Sequence, residues 1–292
     1  MGKDTTDVVE GDAQQLRIIV IAAHPDEADM YAGGTAALFA RAGHAVKFVS
    51  LTCGDAGHHE LGRYELAARR YQEAQEAARR LGVLEYEVLD AHDSELMPTL
   101  ETRKRAMRAI REWRADIVIG LHPDGGGHPD NRAAGIAVEE AMAFVTNRNA
   151  MPDVPPLEKR PVHLYMIDYI SMRVHRHDVV IDVGPTIEEK LLACDANASQ
   201  FYEYSARQYC DPADVPTTWE GRRAFILEHW ADTMYALPEM RETLTAFYGA
   251  GHAATVEFAE TFQFSSESSI PDADAIRAIF PVLPRAAVPA SS

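Results

Sequence analysis

Leu16–Ala23 is a nearly continuous run of branched aliphatic residues, the pattern of a strand covered on both faces. Small and apolar residues then recur at helical spacing over Asp29–Ala42 (Met30, Ala36, Ala37, Phe39, Ala40), and Gly43 supplies a stop. The alternation continues with a strand at Ala45–Leu51, a long amphipathic helix over Leu61–Leu81 ending at Gly82, and a short strand at Glu85–Leu89. A helix at Leu100–Arg114, with Leu100, Met107, Ile110 and Trp113 on one stripe, precedes a buried strand at Ala115–Gly120. Another helix is predicted over Asn131–Thr146, and the four prolines of Met151–Pro161 mark a connection. Val162–Ile167 and Asp178–Val183 read as strands and Thr186–Ala196 as a helix. The remainder reads as mainly helical, with a weakly structured Pro/Ser/Ala tail after Ser265.

Strands that alternate with helices imply an α/β fold, a mostly parallel sheet with helices on both faces, followed by a mainly helical C-terminal region. The division this suggests is a flexible tail over residues 1–15, one α/β domain over 16–264 and an extension over 265–292. The 292 residues carry 28 Lys plus Arg against 45 Asp plus Glu, a net charge of −17, which argues against a nucleic-acid groove or an anionic membrane surface as partner. The longest apolar run is too short for a membrane helix, and Lys3, Asp4, Asp7, Glu10 and Asp12 do not suit a signal peptide. Cys53, Cys194 and Cys210 form no CxxC pair, so a reduced, cytoplasmic protein is expected, and nothing periodic fixes whether it forms a homo-oligomer.

The chemistry concentrates where a parallel sheet binds ligands, outside the carboxyl ends of its strands. Five of the twelve histidines fall in three such loops, 23–29, 52–59 and 121–132. His24 and a carboxylate three residues later, at the mouth of a helix, set an imidazole and an oxygen ligand on one side of a turn, a spacing that suits Zn²⁺ or another divalent cation. Asp26, between them and pointing elsewhere, is free to accept a proton from a metal-bound water. The competing reading is that Asp26 or Asp29 merely caps the helix.

AHPDEADMYAGGT (23–35), FVSLTCGDAGHHE (48–60) and GGGHPDNRAAG (125–135) resemble the PIG-L/LmbE family of zinc-dependent de-N-acetylases, whose usual motifs are AHPDDE and HPDH. The likeness continues through RRYQEAQEAARRLG, PVHLYMID and AETFQF and spans about residues 16–264, with the Rossmann-like fold it implies. The resemblance implies His24 and Glu27 as metal ligands, Asp26 as general base, His128 as acid or oxyanion partner, and position 131 as the third ligand. Two departures fall on the metal itself, Glu27 where the family has Asp and Asn131 where it has His. A neutral amide oxygen is a poorer zinc ligand than imidazole, so either Asn131 serves, His128 or His122 replaces it, or the site is empty.

Asp55, Arg70 and His122 are candidate substrate contacts, Asp55 alternatively a support for a ligand histidine and Arg70 alternatively part of a solvated helix face. His92 and Asp93 are rim candidates, and His58, His59, His175 and His177 read as surface. Tyr202, Tyr204, Tyr209 and Trp230 suit either core or an aromatic wall. The implied activity is removal of an N-acetyl group from an amino-sugar-type substrate. The rivals are a metal-free sugar-binding protein and an amidase for a larger amino-sugar conjugate.

Overall fold

In the computed structural model, which describes residues 15–125, 127–167, 174–265 and 271–284, seven strands form one sheet in the order β3-β2-β1-β4-β5-β7-β6. They are β1 (Arg17–Ala22), β2 (Ala45–Thr52), β3 (Glu85–Ala91), β4 (Ile117–Leu121), β5 (Val162–Met166), β6 (Val179–Asp182) and β7 (Ala259–Phe264). The first five pair in parallel. The intervening helices are α1 (Glu27–Arg41), α2 (Arg63–Leu81), α3 (Leu100–Trp113) and α4 (Pro129–Met142), with α5 (Ile187–Ala196) after β6. The α/β reading holds, and Ile18 through Ala22 are all buried, as a strand covered on both faces requires.

The last third departs from a purely helical region. Ala259–Phe264 is a strand, β7, antiparallel to β5 and to β6 between which it lies, so the sheet is mixed. Both faces of β7 are covered, so its Glu260, Thr261 and Gln263 are buried and the segment shows no apolar run of the kind that marks β1. After Ser265, a helix at Ala273–Ile279 leads to Phe280, fully buried with its ring 5.9 Å from Phe39 and 6.2 Å from Phe262. The described part of the expected tail is therefore packed on the core, whereas residues 1–14 and 285–292 lie outside the described residues.

Chain order runs outward from β1 to β2 and β3, then returns across β1 to β4. That reversal opens a crevice between the carboxyl ends of β1 and β4, where the loops carrying His24 and His128 emerge. Gly135 lets α4 press on this edge, because a Cβ there would lie 2.7 Å from the Leu121 carbonyl oxygen.

The sheet also holds histidines away from the crevice. His163 on β5 is buried with no partner for its Nε2 among the described groups, and burial pushes its pKa down to about 3. His175, expected at the surface, is buried as well. Its pKa falls to about 3, through burial first and then the charges of His177, His122 and Arg176. Both are neutral in the fold but protonate in the unfolded chain below about 6.5, so the stability they allow is complete above that pH and is lost as pH falls toward 3. The expected result is that His163→Phe loses about 3 kcal/mol less stability than wild type between pH 7 and pH 4.5. Urea midpoints at the two pH values would show this, and parallel losses in both proteins would remove His163 from the acid response.

Candidate active site

β1 ends at Ala22 and the chain turns through His24 and Pro25 into α1. Asp26 takes the N-cap position with φ 144° and ψ −28°, a backbone conformation that non-glycine residues rarely adopt, and its side chain makes no capping bond. The capping alternative is thus not what the carboxylate does. Asp26 Oδ1 instead lies 3.2 Å from Arg70 Nη2, while its backbone N–H donates to the Tyr86 hydroxyl. Burial raises the Asp26 carboxyl to about 6, against the opposing charge of Arg70.

Glu27 folds back on the turn that precedes it. Its Oε2 accepts from the backbone N–H of Ala23 and of His24, each at 2.9 Å, leaving Oε1 3.2 Å from His24 Nδ1. The other ring nitrogen, His24 Nε2, faces Asp93 Oδ1 at 3.0 Å and Asp130 Oδ2 at 3.4 Å. Burial disfavours a cation here, yet the charge of Glu27 and the contacts with Asp130 and Asp93 outweigh it and hold the His24 proton well above the usual range. Asp26, Glu27, Asp93 and Asp130 gather around this imidazole with Arg70 as charged counterweight, so the site favours added positive charge.

That arrangement fits a divalent cation. Two ligand atoms about 2.0–2.1 Å from one tetrahedral zinc lie roughly 3.3 Å apart, close to the Nδ1 to Oε1 separation. Carboxylates on the far ring nitrogen are the usual support of a metal-binding histidine. Asn131, buried in the first turn of α4, hydrogen-bonds Glu27 and lines the same cavity. A second donor set shares His24: the ligand atoms of His24, His128 and Asp130 lie within 4.8 Å of one another.

His128 caps α4 through its ring. Its Nδ1 accepts from the Asp130 backbone N–H at 3.3 Å, which leaves the proton on Nε2 in the neutral imidazole, and its ring stands edge-on to His24 with centroids 4.7 Å apart. Asp130 is spent on the β3–α3 loop, accepting from Ser94 N–H at 2.7 Å and Leu96 N–H at 3.2 Å.

A cavity of about 270 Å³ opens over these groups, with His24, Asp26, Glu27, Arg70, Asp93 and Asn131 among its lining residues. Arg70 is buried and lines the cavity, so it is not part of a solvated helix face. Its guanidinium is largely committed, with Nη2 donating to Pro25 O and Nη1 to Gly54 O. Gly54, at φ 67°, must lack a side chain, since a Cβ would meet Arg70 Nη1 at 2.6 Å.

Two expected substrate contacts do not reach the cavity. Asp55 accepts from Asp93 N–H, from Arg63 Nε at 2.9 Å and lies 2.8 Å from His92 Nδ1, so its oxygens are saturated in holding the Asp93 loop. His122 is buried against Tyr165, ring centroids 4.8 Å apart, with its Nδ1 accepting from Asp124 N–H. His58 is likewise interior, bonded to Glu203 at 3.0 Å. Conversely Asp93, read as rim, touches His24. Asp130 was missed altogether, although its place inside the HPD motif was the available signal.

The sequence profile of PIG-L, the GlcNAc-PI de-N-acetylase family, matches residues 19–142. A diacetylchitobiose deacetylase of Thermococcus kodakarensis is 32% identical over 210 residues, 70% of this chain and 73% of the relative. The chain belongs to the PIG-L family. A probable N-acetyl-α-D-glucosaminyl L-malate deacetylase of Bacillus anthracis is 26% identical over 75% of this chain and 97% of its own length. The N,N'-diacetylchitobiose deacetylase structure from Pyrococcus horikoshii superposes with a TM-score of 0.64 at 25% identity, covering 88% of each chain. The Rossmann-like fold is thereby established, and hydrolytic deacetylation is the activity these relatives support.

Proposed function

We propose that this PIG-L protein is a metal-dependent hydrolase that removes the N-acetyl group of a small amino-sugar substrate. The observation that carries the reading is the His24 ring, backed by Asp93 and Asp130 on Nε2 and set 3.2 Å from Glu27 Oε1 on Nδ1, with Asp26 beside it but outside that pair. His24, Glu27 and Asn131 would hold the ion, zinc or a harder divalent cation that tolerates the amide oxygen. Such an ion, when bound, polarises the amide carbonyl and makes water more acidic.

The remaining work falls to the chain. Asp26 accepts a proton from the attacking water on its carboxylate, for which a pKa raised to about 6 is suited, and passes it to the departing amine nitrogen. His128 donates from Nε2 to the oxygen that becomes anionic. Arg70 orients Asp26, Asp93 holds His24 from behind, and Ser94 adds a hydroxyl to the cavity lining. The relatives' substrates carry N-acetylated glucosamine, which agrees with the polar groups among the cavity's lining residues. No helix among the described residues is long and apolar enough to cross a membrane.

Metal content by plasma mass spectrometry, together with amine release from N,N'-diacetylchitobiose, tests the proposal. About one divalent ion per chain that disappears in His24→Ala, with activity lost in parallel, is expected. A chain that holds no metal even after zinc is supplied would turn the reading to a metal-free sugar-binding protein. Asn131→His, which restores the imidazole of the family motif, is expected to tighten zinc binding by about 10–100-fold, measured by competition with a chelator. Unchanged affinity would show that position 131 does not face the metal.

A further inference from the structure

The lining of the cavity is not all polar. Met30 and Tyr31, one turn beyond Glu27 on α1, line the same cavity as Phe201, Tyr204 and Trp230, so aromatic and apolar groups share the site with the polar ones. The aromatic wall stands on a π-helical turn, Ser199–Tyr204, a rare conformation that is frequent at functional sites. The turn and the residues leading into it are tied to three neighbouring segments. Glu73 accepts from Ser199 N–H at 3.0 Å and from its hydroxyl at 2.6 Å. Asn197 donates to Asp29 at 2.9 Å, and Gln200 donates to Gly57 O at 3.1 Å. Asp29 and Glu73 belong to α1 and α2, the helices that carry Glu27 and Arg70, so the wall is fixed relative to the proposed metal centre. Phe201 and Trp230 pack with centroids 4.6 Å apart, and Tyr209 and Phe225 support Trp230 from behind. Tyr204 is 37% exposed at the open edge, ring against His59.

A polar braced frame that presents aromatic faces to a cavity lowers the entropy cost of binding an apolar group and supplies area for it to cover. We propose that this wall is a specificity subsite for an apolar substituent carried by the amino sugar, either on the amide as an acyl chain longer than acetyl or on the sugar as an alkyl or aryl aglycone. The inference rests on the deacetylase reading only for the identity of the sugar.

Its test is therefore a binding measurement that needs no turnover. Calorimetry on the metal-loaded full chain compares glucosamine with its phenyl β-glycoside and with N-hexylglucosamine, whose amine offers no amide to hydrolyse. At least one of the two conjugates is expected to bind tenfold or more tightly than glucosamine, roughly the gain from burying a few methylene groups or a ring. Tightening by the glycoside alone assigns an aglycone subsite, and tightening by the N-hexyl compound alone assigns an acyl subsite. Tyr204→Ala and Trp230→Leu, each checked for an unchanged melting temperature, should erase most of that difference while leaving glucosamine affinity within about twofold. Equal binding of all three compounds, or variants that weaken all three alike because the rings stack on the sugar itself, would overturn the proposal. A chain that shows the preference but deacetylates nothing would keep the subsite and discard the deacetylase reading.

Discussion

Replacing Asp26 with asparagine is expected to lower kcat for amide hydrolysis by about 10²–10⁴-fold, the usual loss when a general base is removed. Asparagine is close in shape, tolerates the positive φ that this position imposes, and still offers Oδ1 to Arg70, so the turn into α1 should survive. What disappears is the proton acceptor. Because Glu27 and His24 form the facing pair and Asp26 stands outside it, metal content should stay at the wild-type value. The result to look for is thus a fall in kcat at constant metal occupancy and nearly constant KM. Unchanged turnover would take Asp26 out of the proton-transfer role, and a parallel loss of metal would make it a ligand.

The part of this protein that was legible in its sequence is the part in which a single physical constraint acts. β1 and β4 are buried on both faces and therefore read as unbroken apolar runs, and Gly82 ends α2 with φ 75° as a left-handed stop. His24, Asp26 and Glu27 stand together because they are neighbours in a chain that turns at a strand end, and the structure keeps them at one place. β7 was hidden because its polar residues have specific partners across the fold, Glu260 on α1 and Thr261 beside His175 and His177. Asp93 and Asp55 could not be placed from the sequence for a similar reason. Both sit at strand ends, but only the loop bonds reveal that Asp55 supports the backbone of Asp93 and that Asp93 reaches His24. The order of residues marks which loops meet at the crevice, and side-chain bonding decides which residue in each loop faces inward.

Lys190→Met is expected to destabilise the fold by about 3–5 kcal/mol, as breaking a fully buried ion pair generally does. Lys190 Nζ lies 2.9 Å from Glu260 Oε1 and donates to Thr233 O at 2.9 Å, with both charged side chains sealed from solvent. Glu260 in turn accepts from two N–H groups within α1, Gly34 at 2.8 Å and Thr35 at 2.7 Å, so one carboxylate joins β7, α1 and α5. Without the ammonium, the carboxylate must either stay charged in an apolar setting or take up a proton. Adding Glu260→Gln to Lys190→Met removes that stranded charge and keeps an oxygen to receive one N–H, so the double variant should recover part of the loss. A coupling energy of 1 kcal/mol or more from urea unfolding of the two single variants and the double is expected for groups in direct contact. The same experiment reaches the site, because α1 carries Glu27 at its first residue and Lys190 and Glu260 grip the helix near its middle. If Lys190→Met unfolds at the wild-type urea concentration, the pair's attraction does no more than offset its own desolvation, and α1 is held by its apolar contacts with the sheet.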